Sequence, residues 1–158
     1  MNDPATLFAA GLLKGLAPDE TAAFLRRCQQ KSYKDGTPLF LEQTEASKLY
    51  MILEGAIELS FEMPKRENAD TTIAVRKPGD TVGWSAIVPP HLYRFSGHCK
   101  GATTLLEIDL ETLTLLFETN YHLAYIFMRN IAELTGERLL QVQDKLAKVL
   151  ASEAVNGW

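Results

Sequence analysis

The sequence predicts a mainly β chain flanked by helices, and three observations carry that expectation. From Lys31 to Asp109 short apolar stretches alternate with a period of two. Turn signals built on glycine, proline, aspartate and asparagine break these stretches at close intervals, as in an antiparallel barrel or roll. Before and after this region the apolar residues recur at helical spacing.

At the start, Asp3 followed by Pro4 combines a capping side chain with a residue whose missing N–H costs nothing in a first helical turn. A second helix is expected at "LAPDETAAFLRRC", where Asp19 and Glu20 favour the positive end of the helix dipole and Phe24, Leu25 and Cys28 share one face, making Cys28 a core residue. In "AIELSFE" Ile57, Leu59 and Phe61 face one way and Glu58, Ser60 and Glu62 the other, the pattern of a half-buried strand. Further strands are expected at "TPLFLE", "KLYMILE", "TTIAVRK" and "TTLLEID". They are separated by turns at Asp35-Gly36, Glu54-Gly55, the polar "PKRENAD" and Pro78-Gly79-Asp80.

Past Ile108 the period is helical again, with Asp109 capping "LETLTLLFE" and Thr119 or Asn120 opening a long helix to about Leu150. That helix carries Leu139, Val142, Leu146 and Val149 at spacings of three, four and three, the seam of a short coiled coil. A helix of this length outruns a small roll, so the stripe is expected to form a homodimer rather than fold back.

Composition narrows the function classes. With 158 residues, 46% hydrophobic and 23% charged, the chain has the make-up of one globular domain, residues 1–158. It divides into N-terminal helices at 1–30, β structure at 31–109 and C-terminal helices at 110–151. A net charge of −4 argues against direct binding of nucleic acid, which is carried by clustered lysines and arginines. No leader and no apolar run of about 18 residues is visible, so a cytoplasmic protein without a membrane partner is expected. Cys28 and Cys99 are too few for a disulfide framework. His91, His98 and Cys99 lack metal-ligand spacing, and no clustered histidines and glutamate mark a catalytic site, so neither a metal nor an enzymatic activity is expected. His122 reads as a helix-surface residue.

The unusual stretch is "VGWSAIVPPHLYRFSGHCKG", in which Arg94 is the one strong cation between Lys77 and Lys100. Together with "LYMILEGAIELS", "KPGDTVGWSAI" and the spacing of Gly36, Gly55, Gly79, Gly83 and Arg94, it resembles the cyclic nucleotide-binding domains of the catabolite activator and kinase regulatory-subunit superfamily, from about Leu7 to Leu150. The resemblance implies an antiparallel β-roll, a double-stranded β-helix of jelly-roll type, with N-terminal helices and a long C-terminal helix. It also implies a phosphate-binding cassette at 82–97, a short helix starting after Gly83 and ending near Arg94. The family places a ribose-binding glutamate directly after the glycine and a small, often hydroxylated residue after the arginine. Here those positions hold Trp84 and Phe95. Thr135 stands where the family's long helix offers a hydroxyl to adenine.

One negative phosphodiester suits exposed N–H groups and one guanidinium inside an apolar barrel. The resemblance implies the ligand-site residues Gly83, Trp84, Ser85, Arg94, Phe95, Ser96 and Thr135, and the expected ligand is a small anion, a cyclic nucleotide or another phosphate-bearing molecule. Loss of the glutamate predicts weak binding of cyclic AMP. The competing readings make Arg94 a turn arginine paired with an acid, Trp84 a packing residue and Thr135 a solvent-facing one. At the level of function, the leading reading is a stand-alone sensory or regulatory module that signals through its dimer helix to an unidentified partner protein. The alternatives are a ligand-independent interaction module whose pocket is filled by Trp84 and Phe95, and a transcription regulator. The last is disfavoured because "LASEAVNGW" cannot supply a helix-turn-helix.

Overall fold

The structure, a computed structural model, describes residues 3–61 and 71–156. Two short helices, α1 (Pro4–Leu7) and α2 (Pro18–Arg27), precede six strands: β1 (Gln29–Tyr33), β2 (Pro38–Phe40), β3 (Lys48–Ser60), β4 (Thr72–Arg76), β5 (Thr81–Val82) and β6 (Ser96–Asp109). Helices α3 (Leu110–Thr119) and α4 (Tyr121–Asn156) complete the order. The strands form one antiparallel sheet in the order β1-β6-β3-β4, with β2 pairing onto β6 and β5 onto β3. This is the mainly β roll with flanking helices and a long C-terminal helix that the sequence predicts. The stretch "PKRENAD", read as a turn, lies outside the described residues, as does Glu62.

The caps form as their residue types dictate. Asp3 accepts a hydrogen bond from the Thr6 N–H, Asp109 from Thr112 and Asn120 from Leu123. Helix α2 starts after Ala17, whose N–H donates to the Glu20 carboxylate at 3.0 Å. Cys28 packs against the core next to α2, and burial pushes its thiol up to about 12.

Strand β3 is buried on both faces. Leu49, Met51 and Leu53 enter a cluster with Phe8, Phe24, Leu123 and Phe127 from the helices, while Tyr50 and Ile52 point into the roll with Phe40, Val82, Tyr93 and Leu105. Strict alternation from Ile52 would send Ile57 to the helical side. Instead the register against β6 slips at Glu54 and again before Ala56, and Ile57 joins Tyr50 and Ile52 inside the roll. Gly55 makes the slip possible: its φ is 79°, and a Cβ there would lie 2.4 Å from the Ala102 carbonyl oxygen. Glu54-Gly55 is thus a bulge inside one continuous strand, not the turn the sequence suggests. Because glycine and an acid also make turns, composition alone does not separate the two.

Three boundaries also differ from the sequence reading. Strand β1 begins at Gln29, inside the region assigned to helices, because the Cys28 backbone is already extended. Strand β6 runs unbroken from Ser96, so "TTLLEID" is only its second half. Helix α4 continues past Leu150 to Asn156, a length of about 54 Å at 1.5 Å per residue.

Glu107, almost fully buried, fastens β6 to its neighbours: Lys31 lies 3.3 Å and Lys48 3.2 Å from its carboxylate, and the Tyr33 hydroxyl donates to it. His122 is exposed as expected, yet its ring lies 2.8 Å from the buried Glu20 carboxylate, joining α4 to α2.

Candidate ligand site

Strand β5 ends at Val82 and the chain reverses at Gly83, whose φ of 86° only glycine adopts readily. A Cβ at this point would lie 2.6 Å from the Lys48 carbonyl oxygen, so the residue is glycine for space as well as for conformation. Past Gly83 the chain makes a single 3-10 turn, Trp84–Ala86, closed by the Ala86 N–H donating to Gly83 and the Ile87 N–H to Trp84. The helix expected from after Gly83 to near Arg94 is therefore limited to one turn, and the last two residues of the 82–97 cassette belong to β6. Two prolines at 89 and 90 remove the N–H groups that a longer helix would need.

The loop after the prolines is held in place by its neighbours. The Ala46 N–H donates to His91 at 2.7 Å, Tyr93 donates to Thr44 at 3.0 Å, and Gln43 donates to Tyr93 at 2.8 Å. The Tyr93 side chain is buried, donates to the Lys48 carbonyl at 3.1 Å and stacks on Phe40 with centroids 4.3 Å apart. Burial keeps this phenol protonated by raising its pKa. Tyr93 thus anchors the stem from which Arg94 projects.

Between these elements lies a cavity of about 240 Å³. Its wall combines Phe40, Leu59, Val82 and Tyr93 with the turn residues Gly83, Trp84 and Ser85, the loop residues Arg94 and Phe95, and two further arginines, Arg76 and Arg138. Among the described residues, three guanidiniums and no carboxylate line it. Arg94 is exposed, and among the described residues it forms no ion pair. Trp84 packs partly against the helical core and Phe95 is 39% exposed, so neither fills the cavity.

Of the residues the sequence marked, Gly83, Trp84, Ser85, Arg94 and Phe95 come together. Ser96 and Thr135 stand outside the cavity wall. Ser96 is buried at the start of β6, where its hydroxyl accepts the Glu42 N–H at 2.9 Å. The Thr135 hydroxyl donates back to the Ile131 carbonyl at 2.8 Å, within its own helix. Arg138, nearly one helical turn further on, is the residue that α4 contributes.

Arg76 and Arg138 escaped the sequence reading. Arg76 pairs across the sheet with the fully buried Ile57, which puts it on the inner face, and its Nε is buried without a hydrogen-bond partner. Arg138 donates to the Thr81 carbonyl at 2.6 Å. Burial and the nearby charge of Arg76 lower its pKa, with Asp80 opposing. Among the described residues no group of histidine, cysteine, aspartate and glutamate is arranged to hold a metal, and no helix is long and apolar enough to cross a membrane.

Residues 30–120, more than half of the chain, match the family model of the cyclic nucleotide-binding domain, and the chain belongs to that family. Over 102 residues it is 24% identical to a CRP-like cAMP-activated global transcriptional regulator of Mycobacterium tuberculosis, covering 65% of this chain and 42% of that protein. The match thus spans less than half the length of the curated relative. Among solved structures, a cyclic nucleotide-binding domain from Methylobacillus flagellatus superposes with a TM-score of 0.79 at 17% identity, over 90% of this chain and 79% of that one. The catabolite activator protein of Thermus thermophilus gives 0.74 at 24% identity, over 87% and 62%. At these identities the superpositions establish the fold.

Proposed function

We propose that this chain is a regulatory module that binds a small anionic ligand in the cavity beside Arg94 and signals to a partner protein through a dimer formed by α4. One observation carries the reading: an open cavity of about 240 Å³ with aromatic walls, three arginines and, among the described residues, no carboxylate. Guanidiniums in an apolar setting bind phosphate or carboxylate by paired, charge-assisted hydrogen bonds, and the aromatic walls suit a planar group. The volume lies just below the roughly 300–1,000 Å³ usual for ligand pockets, which suits a molecule no larger than a mononucleotide. The Mycobacterium tuberculosis relative is cAMP-activated, which supports a nucleotide-type ligand here. Trp84 in place of the family's glutamate argues that the preferred ligand is not the usual cyclic nucleotide.

Tryptophan emission tests the proposal. Trp84 and Trp158 are the two tryptophans, so Trp158→Phe leaves a single reporter in the cavity wall. Titration with AMP, cyclic AMP, cyclic GMP and inorganic phosphate should give a saturable change for at least one of them, abolished by Arg94→Ala. Emission unchanged by the whole panel, or changed equally in the Arg94 variant, contradicts the reading.

A further inference from the structure

The cavity holds more positive charge than one phosphodiester requires. Arg94 alone would match a single negative group, and it projects from the exposed loop. Arg76 and Arg138 are different: both are half-buried, one rising from β4 and the other from α4. Among the described residues neither forms a salt bridge. Asp80, the nearest carboxylate felt by Arg138, accepts the Lys77 N–H at 2.9 Å instead. Arg138 has one protein acceptor, the Thr81 carbonyl, and the buried Arg76 Nε has none. Two half-buried guanidiniums that line one cavity, with donors to spare, sit together at a cost. A bound anion removes the cost by bridging them.

We infer that Arg76 and Arg138 form a second anion subsite in the same cavity as Arg94, so that the ligand carries two separate anionic groups and a planar group beside them, as in a nucleoside bisphosphate, whose sugar bears both phosphates and the base. The inference rests on the proposed ligand-binding reading and narrows it. Phe40, Tyr93 and Trp84 supply an aromatic surface suited to the planar base of such a molecule.

Two measurements test it. In the absence of ligand, Arg76→Leu should raise the melting temperature, since it removes a buried unpaired donor and a like-charge contact; Arg76→Gln should lie between. A fall in both variants marks Arg76 as a structural residue and overturns the inference. For binding, calorimetry should compare AMP with adenosine 3′,5′-bisphosphate at fixed ionic strength. The bisphosphate should bind about ten- to a hundredfold more tightly, the worth of one charge-assisted contact. Arg76→Gln combined with Arg138→Gln should erase that preference, whereas Arg94→Gln should weaken both ligands. If AMP binds through Arg94 and the bisphosphate gains nothing, or if its gain survives in the double variant, the second subsite fails and the first reading stands. If neither binds, both fail.

Discussion

The Arg138 guanidinium donates to the Thr81 carbonyl oxygen at 2.6 Å, and Arg138 is the last residue of α4 to retain any cover from the roll. From Leu139 to Val155 every residue is exposed. One hydrogen bond therefore marks the point where the helix leaves the body of the fold, next to the strand that leads into Gly83.

Beyond that point Leu139, Val142, Leu146 and Val149 are each more than half exposed, so the stripe does not fold back onto the roll. A helical end carrying such a stripe in water is poorly sustained alone, and pairing with a second copy covers it. Light scattering should show a dimer for the wild type and a monomer for Val142→Asp with Leu146→Asp. A monomeric wild type at micromolar concentration contradicts the dimer.

By the resemblance noted in the sequence, Trp84 stands where a sugar-binding glutamate is expected, and the exposed Phe95 follows Arg94. Wild type is expected to bind cyclic AMP weakly or not at all by calorimetry. Trp84→Glu with Phe95→Ser should tighten binding about ten- to a hundredfold by restoring a charge-assisted hydrogen bond. Tight wild-type binding, or no gain in the variant, contradicts this account of the pocket.

Glu20 closes α2 onto α4 by accepting from the Ala17 N–H and meeting His122 at 2.8 Å. Burial tends to raise its pKa, but these partners outweigh it and the carboxyl lies below its ordinary 4.5. A folded-state value below the unfolded one means the stabilisation is complete above about pH 4.5 and is lost as pH falls through the folded value. Urea unfolding should place Glu20→Gln about 1 kcal/mol below wild type near neutral pH, with the gap closing under acid conditions. A gap independent of pH would assign Glu20 a packing role only.

Gly55→Ala should be severe. The substitution forces a side chain into a left-handed conformation and against the Ala102 carbonyl at 2.4 Å. A loss of about 3 kcal/mol or more is expected, roughly 10 °C in melting temperature at this chain length. Gly36→Ala meets open space, so only the strain of its φ of 75° applies and the loss should be smaller. Equal losses would show that crowding at Gly55 contributes nothing.

Much of the fold was legible in the sequence because local chemistry and global fold agree. Asp3, Asp109 and Asn120 cap where they should, and the alternation Ile57, Leu59 survives intact. The bulge at Glu54 was not legible, since the change of face depends on pairing with β6 rather than on β3 itself. For the site, Gly83 and Arg94 could be found because backbone reversal and a lone cation are local signals. Arg76 could not: in "TTIAVRK" the apolar Val75 looks like the inner residue, yet it pairs with Glu58 on the outer face while Arg76 points inward beside Ile57. Arg138 was hidden among the polar positions of a long helix, and only its docking over β5 brings it to the cavity.

If the cavity beside Arg94 takes an anion, the melting temperatures of wild type and Arg94→Ala should diverge across phosphate, sulfate and a nucleotide panel at constant ionic strength. A ligand present at about a hundred times its dissociation constant should stabilise the wild type by about 2.7 kcal/mol, a shift of several degrees, and the Arg94→Ala protein by much less. No shift with any anion, or the same shift in both proteins, would make Arg94 a structural arginine and contradict the account.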